Sequence, residues 1–474
     1  MHILSSASAS PLRPLCTAEE SRIPPRVLPR TQPRTRPLWR WLPAALAPVL
    51  SGLLGSAQAI DFGPFSLNGF AKVELTRGTG QCPDCAVNPN EAKDKAWADA
   101  LIPGSRITTR DQHVTLVQPY LGVKFDLPGG FRVGGLASKR WRDGKEDIPG
   151  FWWDRSVYAS HEDYGRLTIG SMLTRAWSLS DYPFGSDIGL SSPWASSGAG
   201  YGLLGHAVRY TSRPLDVNYG TLVLEATYDR GAPGWEKNKP RFIELYAQFY
   251  VEGLVINAIY QDARNGTPAA WGQGPFTGLT PFPRDDLKLG GSGQSIALLM
   301  ARYQINATWE VLGGVRQNRW SGAYGRITQP KPADGTAFDQ WNNPFNVDWF
   351  CKDAVPSRCE VDNPGYPARS VDVTAGVRYS IDDWTAHIGL LVLGQARTKN
   401  PSERGQSNWA LINTAGLNYN FRNGLQMYGL AGLVRYRQLG LSPMSMPGNS
   451  SFTNVDSRAS KHGNWVGVGA VYAF

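Results

Sequence analysis

The chain has 474 residues, of which 42% are hydrophobic and only 18% charged, with 52 glycines, 17 tryptophans and 19 tyrosines. So few charges among so many apolar residues exclude a disordered protein, and glycine together with aromatics favours β structure with many turns. A formal net charge of +9 would suit a nucleic-acid partner, but much of that excess sits in the first 59 residues.

Residues 1–36 are rich in Pro, Arg and Ser without apolar periodicity; Arg36 and Arg40 then precede WLPAALAPVLSGLL, and Ala57-Gln58-Ala59 closes the segment. A charged stretch, a short apolar run and a small-residue site read as a secretory signal cut after Ala59. The apolar run is shorter than the ~20 residues of a bilayer-spanning helix. Residues 1–59 are therefore expected to be leader and signal peptide, removed on export, and residues 60–474 the folded unit. Setting aside the leader's seven arginines and Glu19 and Glu20 lowers the net charge from +9 to +4. No basic cluster interleaved with aromatics remains, so no nucleic-acid partner is expected. No apolar run of ~18 residues follows residue 60, which leaves strands as the only way to cross a membrane.

Period-two segments recur along the rest of the chain, beginning near residues 66, 115, 131, 155, 166, 206, 219, 241, 254, 295, 307, 371, 384, 408, 425 and 463. In the first, Leu67, Gly69, Ala71, Val73 and Leu75 oppose Asn68, Lys72 and Glu74; in the second, Leu121, Val123 and Phe125 oppose Tyr120, Lys124 and Asp126. Leu222, Leu224, Ala226 and Tyr228 oppose Glu225 and Thr227, and Ile243, Leu245, Ala247 and Phe249 oppose Glu244 and Gln248. Val371, Val373, Ala375, Val377 and Tyr379 oppose Asp372, Thr374 and Arg378. Such alternation is that of strands with one apolar face.

The connections alternate in length. Leu-Pro-Gly-Gly at 127–130, Glu-Asp-Tyr-Gly at 162–165, Glu252-Gly253, Ile-Asp-Asp at 381–383 and Arg-Asn-Gly at 422–424 are hairpin turns. Between them lie long segments, roughly 77–113, 141–154, 172–204, 229–240, 264–293, 318–369, 397–407 and 438–460. All the long segments thus fall at one end of a sheet. Strands descending to the short-turn end finish on an apolar-parity aromatic: Phe125, Tyr210, Phe249, Tyr303, Tyr379, Tyr419 with Phe421, and Tyr472 with Phe474. That is the girdle of a membrane interface. The fold expected is all-β: a closed antiparallel transmembrane β-barrel of about 16 strands, with short periplasmic turns and long external loops. The final strand, NWVGVGAVYAF, is expected to pair with the first to close it.

The terminus VGVGAVYAF, the segment DYGRLTIGSML preceding a long loop with Tyr182-Pro183-Phe184-Gly185, and the signal peptide together resemble the sixteen-stranded general porins of Gram-negative bacteria. The likeness spans residues 60–474. It implies an outer-membrane location among lipid, a homotrimer, recognition of the C-terminal Phe474 strand by the barrel-assembly machinery, and a third external loop folded into the lumen. On that pattern Asp181 and Asp187 of loop 174–204 face inward-parity cations Lys72, Lys124, Arg132, Arg166 and Arg209 to form the constriction. Acids facing bases set a transverse field that orients dipolar solutes. Pro-Phe-Gly without an acid departs from the commoner form of this loop. Other pore-lining charges expected are Glu74, Glu225, Glu244, Glu310, Arg316, Asp372, Arg378 and Arg435, near balance with a small basic excess. The function implied is passive diffusion of small hydrophilic solutes and ions, with weak anion preference at most and no cofactor.

A substrate-selective channel is the alternative, in which Trp152, Trp153, Trp177, Trp194, Trp271, Trp320, Trp341 and Trp349 form an approach path for sugars or aromatic acids; the same tryptophans also suit packing of loops onto the rim. Cys82, Cys85, Cys351 and Cys359 are expected to form disulfides in an oxidising compartment, with three connectivities open and local pairing preferred. No enzyme is expected, because His113, His161, His206, His387 and His462 are scattered and no Gly-x-Ser-x-Gly motif occurs. Small residues of the apolar parity, Gly69, Ala71, Gly135, Ala137 and Ala159, mark the expected subunit interface.

Overall fold

Alternation of side chains leaves each strand a continuous ladder of backbone donors and acceptors, and the ladders join into one sheet that returns to its start. The computed structural model describes residues 60–81, 108–146, 152–179, 203–230, 241–264, 292–322, 349–351, 359–361, 368–395, 397–398, 409–421, 424–437 and 460–474. The barrel strands are β1 (Phe65–Gln81), β2 (Thr108–Asp126), β3 (Phe131–Ser138), β4 (Asp154–His161), β5 (Gly165–Leu173), β6 (Leu203–Thr211), β7 (Gly220–Asp229) and β8 (Arg241–Val251). They continue as β9 (Leu254–Arg264), β10 (Ser292–Gln304), β11 (Trp309–Gly322), β12 (Ala368–Ile381), β13 (Trp384–Leu393), β14 (Ala410–Asn420), β15 (Leu425–Tyr436) and β16 (His462–Ala473). Each pairs antiparallel with its neighbours in sequence, and β16 pairs with β1 from Phe70↔Ala473 to Gly78↔Trp465. The sixteen expected segments are thus the sixteen strands, in order. Among the described residues no helix is long and apolar enough to cross a membrane.

The two parities separate as inside and outside. Val73 and Leu75 on β1 and Val466 and Val468 on β16 are more than half exposed, while Lys72, Glu74 and Trp465 between them are buried. A continuous apolar outer surface of this kind is stable only against hydrocarbon. At the short-turn end the girdle is fuller than expected, because ascending strands begin on aromatics too. Phe65, Phe131, Trp309 and Trp384 are exposed there. Trp309 meets Tyr379, and Trp384 meets Tyr419, edge-on at 4.8 Å in both cases.

β1 and β2 run further than the alternation suggested. They stay paired from Phe65↔Val123 up to Gln81↔Thr108, with a bulge between Thr79 and Gln81. Backbone pairing does not need apolar side chains, so a hairpin can continue with polar residues beyond the hydrocarbon. The assignment of residues 1–59 lies outside the described residues.

Closure depends on one close approach. Gly69 and Phe474 exchange backbone hydrogen bonds of 2.8 and 3.0 Å. A Cβ at Gly69 would lie 2.8 Å from the Phe474 ring and 2.5 Å from the Gln118 carbonyl oxygen, so only glycine leaves room for the terminal residue. Gly69→Val is expected to weaken the barrel by about 1–3 kcal/mol, the usual cost of overpacking. Urea titration read by the gel mobility of the folded form measures it, and an unchanged midpoint would contradict this account of the seam.

Candidate functional site in the barrel lumen

The inward face carries charged groups that satisfy one another, and among them is the root of the third long connection. At the end of β5 the pairing with β6 shifts register between Gly170 and Met172. Gly170 adopts φ +135°, where a side chain is strained and a Cβ would strike the Arg155 carbonyl oxygen at 2.3 Å. Past this bulge the chain leaves the wall as a single helical turn, α1 (Arg175–Ser178).

Two wall carboxylates hold that turn. Glu244 on β8 accepts hydrogen bonds from the backbone N–H groups of Arg175 at 2.8 Å and Ala176 at 3.2 Å. It also accepts from Gln261 Nε2 at 2.6 Å, and Arg209 Nη2 lies 3.5 Å away. The Arg175 guanidinium forks onto Glu225 of β7 through Nε and Nη2, and Thr211 donates to the same carboxylate at 2.8 Å. Arg209 on β6 donates to Thr227 Oγ1 and to the Leu173 carbonyl oxygen, each at 2.8 Å. Paired register explains the convergence: Thr227 stands opposite both Arg209 and Glu244, and Glu225 opposite both Thr211 and Tyr246. Buried charges survive only when paired and hydrogen-bonded in this way. Ala176 and Leu179 then pack against inward apolar residues.

The loop root carries a base against acids on the wall. Sequence reading put acids on the loop against wall bases, but Asp181 and Asp187 lie outside the described residues. Of the five wall cations named with them, only Arg209 reaches the loop root. Lys72 pairs with Glu74 at 2.9 Å on the closing seam, where Tyr428 donates to Glu74 at 2.6 Å. Tyr428 spans β16 to do so, lying over Gly469, where a Cβ would fall 2.3 Å from its ring. Arg166 stacks on Tyr158 at 3.6 Å. Lys124 and Arg132 sit near the short-turn end, Lys124 exposed and Arg132 half-buried, with Arg132 on Asp126 at 2.6 Å.

Elsewhere on the inner wall Arg316 binds Asp372 at 2.7 Å, and Asn318 and the Gly394 N–H donate to the same carboxylate. Arg378 and Arg302 flank Glu310 at 2.7 and 3.1 Å. Arg435 corrects its assignment: it is exposed and shares the outward parity of Met427 and Leu433, so it does not line the lumen. Missed by sequence reading were Arg175, Arg302 and Arg140. Arg140 donates to Gln118 at 2.7 Å and lies 3.8 Å from the Trp153 ring. Trp153 is thus packed against the rim, and Trp152 lies beneath Lys139 at 5.0 Å. The other loop tryptophans fall outside the described residues or have side chains that do.

A second departure is apolar. Inward residues of β13 to β16, β1 and β2, among them Leu391, Leu393, Ile412, Leu430, Val434, Trp465, Phe70 and Leu116, are buried in one cluster that also takes in Tyr246, Ile259, Leu298 and Met300 of β8 to β10. The inner face is therefore apolar over part of its area on both groups of strands, not mixed polar throughout. Of the cysteines, the backbone sets Cys351 directly opposite Cys359 in a small antiparallel pair outside the barrel sheet; Cys82 and Cys85 lie outside the described residues.

A closed barrel of sixteen strands, apolar outside and charged within, is a transmembrane β-barrel of the size at which side chains no longer fill the interior. Solved structures share the fold. Outer-membrane expressed OmpT of Vibrio cholerae matches with a TM-score of 0.52 at 10% identity, over 88% of this chain and 100% of that one. The anion-selective porin from Comamonas acidovorans matches at 0.50 and 14% identity, over 86% and 99%. OmpF of Salmonella typhi, in complex with daunomycin, matches at 0.50 and 12%, over 88% and 100%. At these identities the likeness is one of fold. No protein-family model matches the chain, and no curated protein matches it in sequence.

Arg175→Met strands Glu225 in the wall and is expected to cost about 3–5 kcal/mol. The double variant Arg175→Met/Glu225→Met should recover most of that in the same unfolding assay. Equal losses in the two would show that the pair does not act as a unit.

Proposed function

We propose that the chain is an outer-membrane porin, a non-enzymatic channel for passive diffusion of small hydrophilic solutes and ions. The observation that carries this reading is the turn Arg175–Ser178, pinned inside a sixteen-strand barrel by Glu225 and Glu244, since a segment held there would narrow a passage through the barrel. Sixteen strands leave an interior wider than side chains fill. Arg140, Arg166, Arg175 and Arg209 stand on one side of that interior, on or beside β3 to β6. Their concentration favours a weak anion preference. Asp181 and Asp187 belong to the same loop, and their part in the neck remains a proposal from the resemblance, as does recognition of Phe474 during assembly.

One observation favours the second reading, a channel selective for aromatic or other organic acids. Tyr428, Tyr436 and Trp465 stand among the buried inward apolar residues of β15 and β16, in one cluster with Tyr246, over whose ring Arg175 lies at 5.3 Å. Inward guanidinium groups together with inward aromatic rings suit a ligand with a carboxylate and a ring. Single-channel recording in a planar bilayer separates the two. The porin reading expects ohmic current, a reversal potential slightly favouring anions under a salt gradient, and no effect of added benzoate. Saturable block by benzoate would establish the selective channel instead, and absence of conductance would defeat both.

We also infer a homotrimer. Gly69, Ala71, Gly135, Ala137 and Ala159 share the outward face of β1, β3 and β4, interleaved with Leu121 and Val123 of β2. This patch is low in relief, as close packing of barrel on barrel requires. Ala71→Trp/Ala137→Trp is expected to yield monomers on a mild gel, and undiminished trimers would rule the patch out.

A further inference from the structure

We propose that Arg319, Arg369 and Arg397 form a binding site for the phosphomonoester headgroup of a lipid in the external leaflet. The three are direct cross-strand neighbours: Arg319 of β11 stands opposite Arg369 of β12, and Arg369 opposite Arg397 of the two-residue strand Arg397–Thr398. All are exposed, and all face outward, since Arg319 continues the parity of Val311 and Val315, and Arg369 that of Val371 and Val373. Like charges placed directly opposite on a sheet are destabilising. Among the described residues no carboxylate pairs with any of the three.

At two other places on the outer face a carboxylate stands beside the arginines, whereas Arg435 of β15 is outward without one among the described residues. Arg241 and Arg264 also stand opposite each other, but Asp262 lies beside them at 3.5 and 3.1 Å. Arg77 stands opposite Asp111, 3.7 Å away. The triad is a like cluster of outward arginines, and no described acid stands beside it. Its height says what it meets. Arg319 and Arg369 lie about ten residues along their strands from Trp309 and Tyr379 of the lower girdle. At ~3.3 Å per residue and a tilt of roughly 40° that is about 25 Å of vertical rise, the thickness of the apolar band. The triad therefore stands at headgroup level on the long-loop side. Guanidinium groups there meet phosphate in bidentate fashion, and a monoester carries more charge for three of them than a diester does.

The site faces away from the lumen, so it stands or falls apart from the solute passage. The test places residues 60–474 in nanodiscs of phosphatidylcholine with a minor fraction of phosphatidic acid, and counts retained lipids by native mass spectrometry. Wild type is expected to retain phosphatidic acid in preference to phosphatidylcholine, with no displacement by millimolar inorganic phosphate. Arg319→Gln/Arg369→Gln/Arg397→Gln should lower that preference by roughly tenfold or more, and Arg369→Gln alone by less, with unaltered gel mobility and conductance. Replacing all three by Lys should give an intermediate loss, since charge remains without the fork. Equal retention by the glutamine variant, no preference in wild type, or displacement by free phosphate would each overturn the assignment.

Discussion

Every backbone donor and acceptor inside hydrocarbon must find a partner in the protein, and a sheet meets that demand only by having no edge. The rest of this structure follows from the β1–β16 seam that removes the edge. The seam is held from both faces. Outside, Phe474 lies against Gly69, and inside, Tyr428 reaches across Gly469 to Glu74, which Lys72 also holds. The carbonyl and N–H of Phe474 complete the ladder with Gly69.

Closure at sixteen strands leaves an interior too wide to be filled, and that creates the second problem, buried charge. The inner wall answers with complete local sets. Glu244 has four donors within reach, and Asp372 is met by a guanidinium, an amide and a backbone N–H. Such sets give little net stability over apolar packing, but they are directional. At the loop root this direction is what matters. Arg175 cannot slide along the wall without leaving Glu225 unpaired, so the turn Arg175–Ser178 is held at a fixed point past the bulge at Gly170.

Strand count, order and closure were legible because a period of two is local and turn chemistry is local; neither needs knowledge of the partner strand. The lining was less legible, and for a physical reason. On β15, LQMYGLAGLVRY is apolar on both parities, so alternation could not reveal that Tyr428, Leu430 and Val434 turn inward. Arg175 sits beyond a register shift, where parity no longer predicts direction. The pairing of Arg302 with Glu310 joins β10 to β11 and becomes visible only when their register is known.

Arg435 shows what parity alone leaves out. A charged side chain on the lipid parity would be costly in mid-membrane, which is why it was assigned to the lumen. Yet it is the penultimate residue of β15, paired with His462 at the upper end of the strand, and there the lipid parity faces headgroups instead of acyl chains. Height along the strand thus decides as much as side. Near mid-wall an arginine must turn inward to a carboxylate, as Arg316 does to Asp372, whereas at the upper rim it can turn outward because there it meets headgroups and water instead of acyl chains. The same residue type therefore serves two opposite faces of one wall, and register together with distance from the aromatic girdle is what tells them apart.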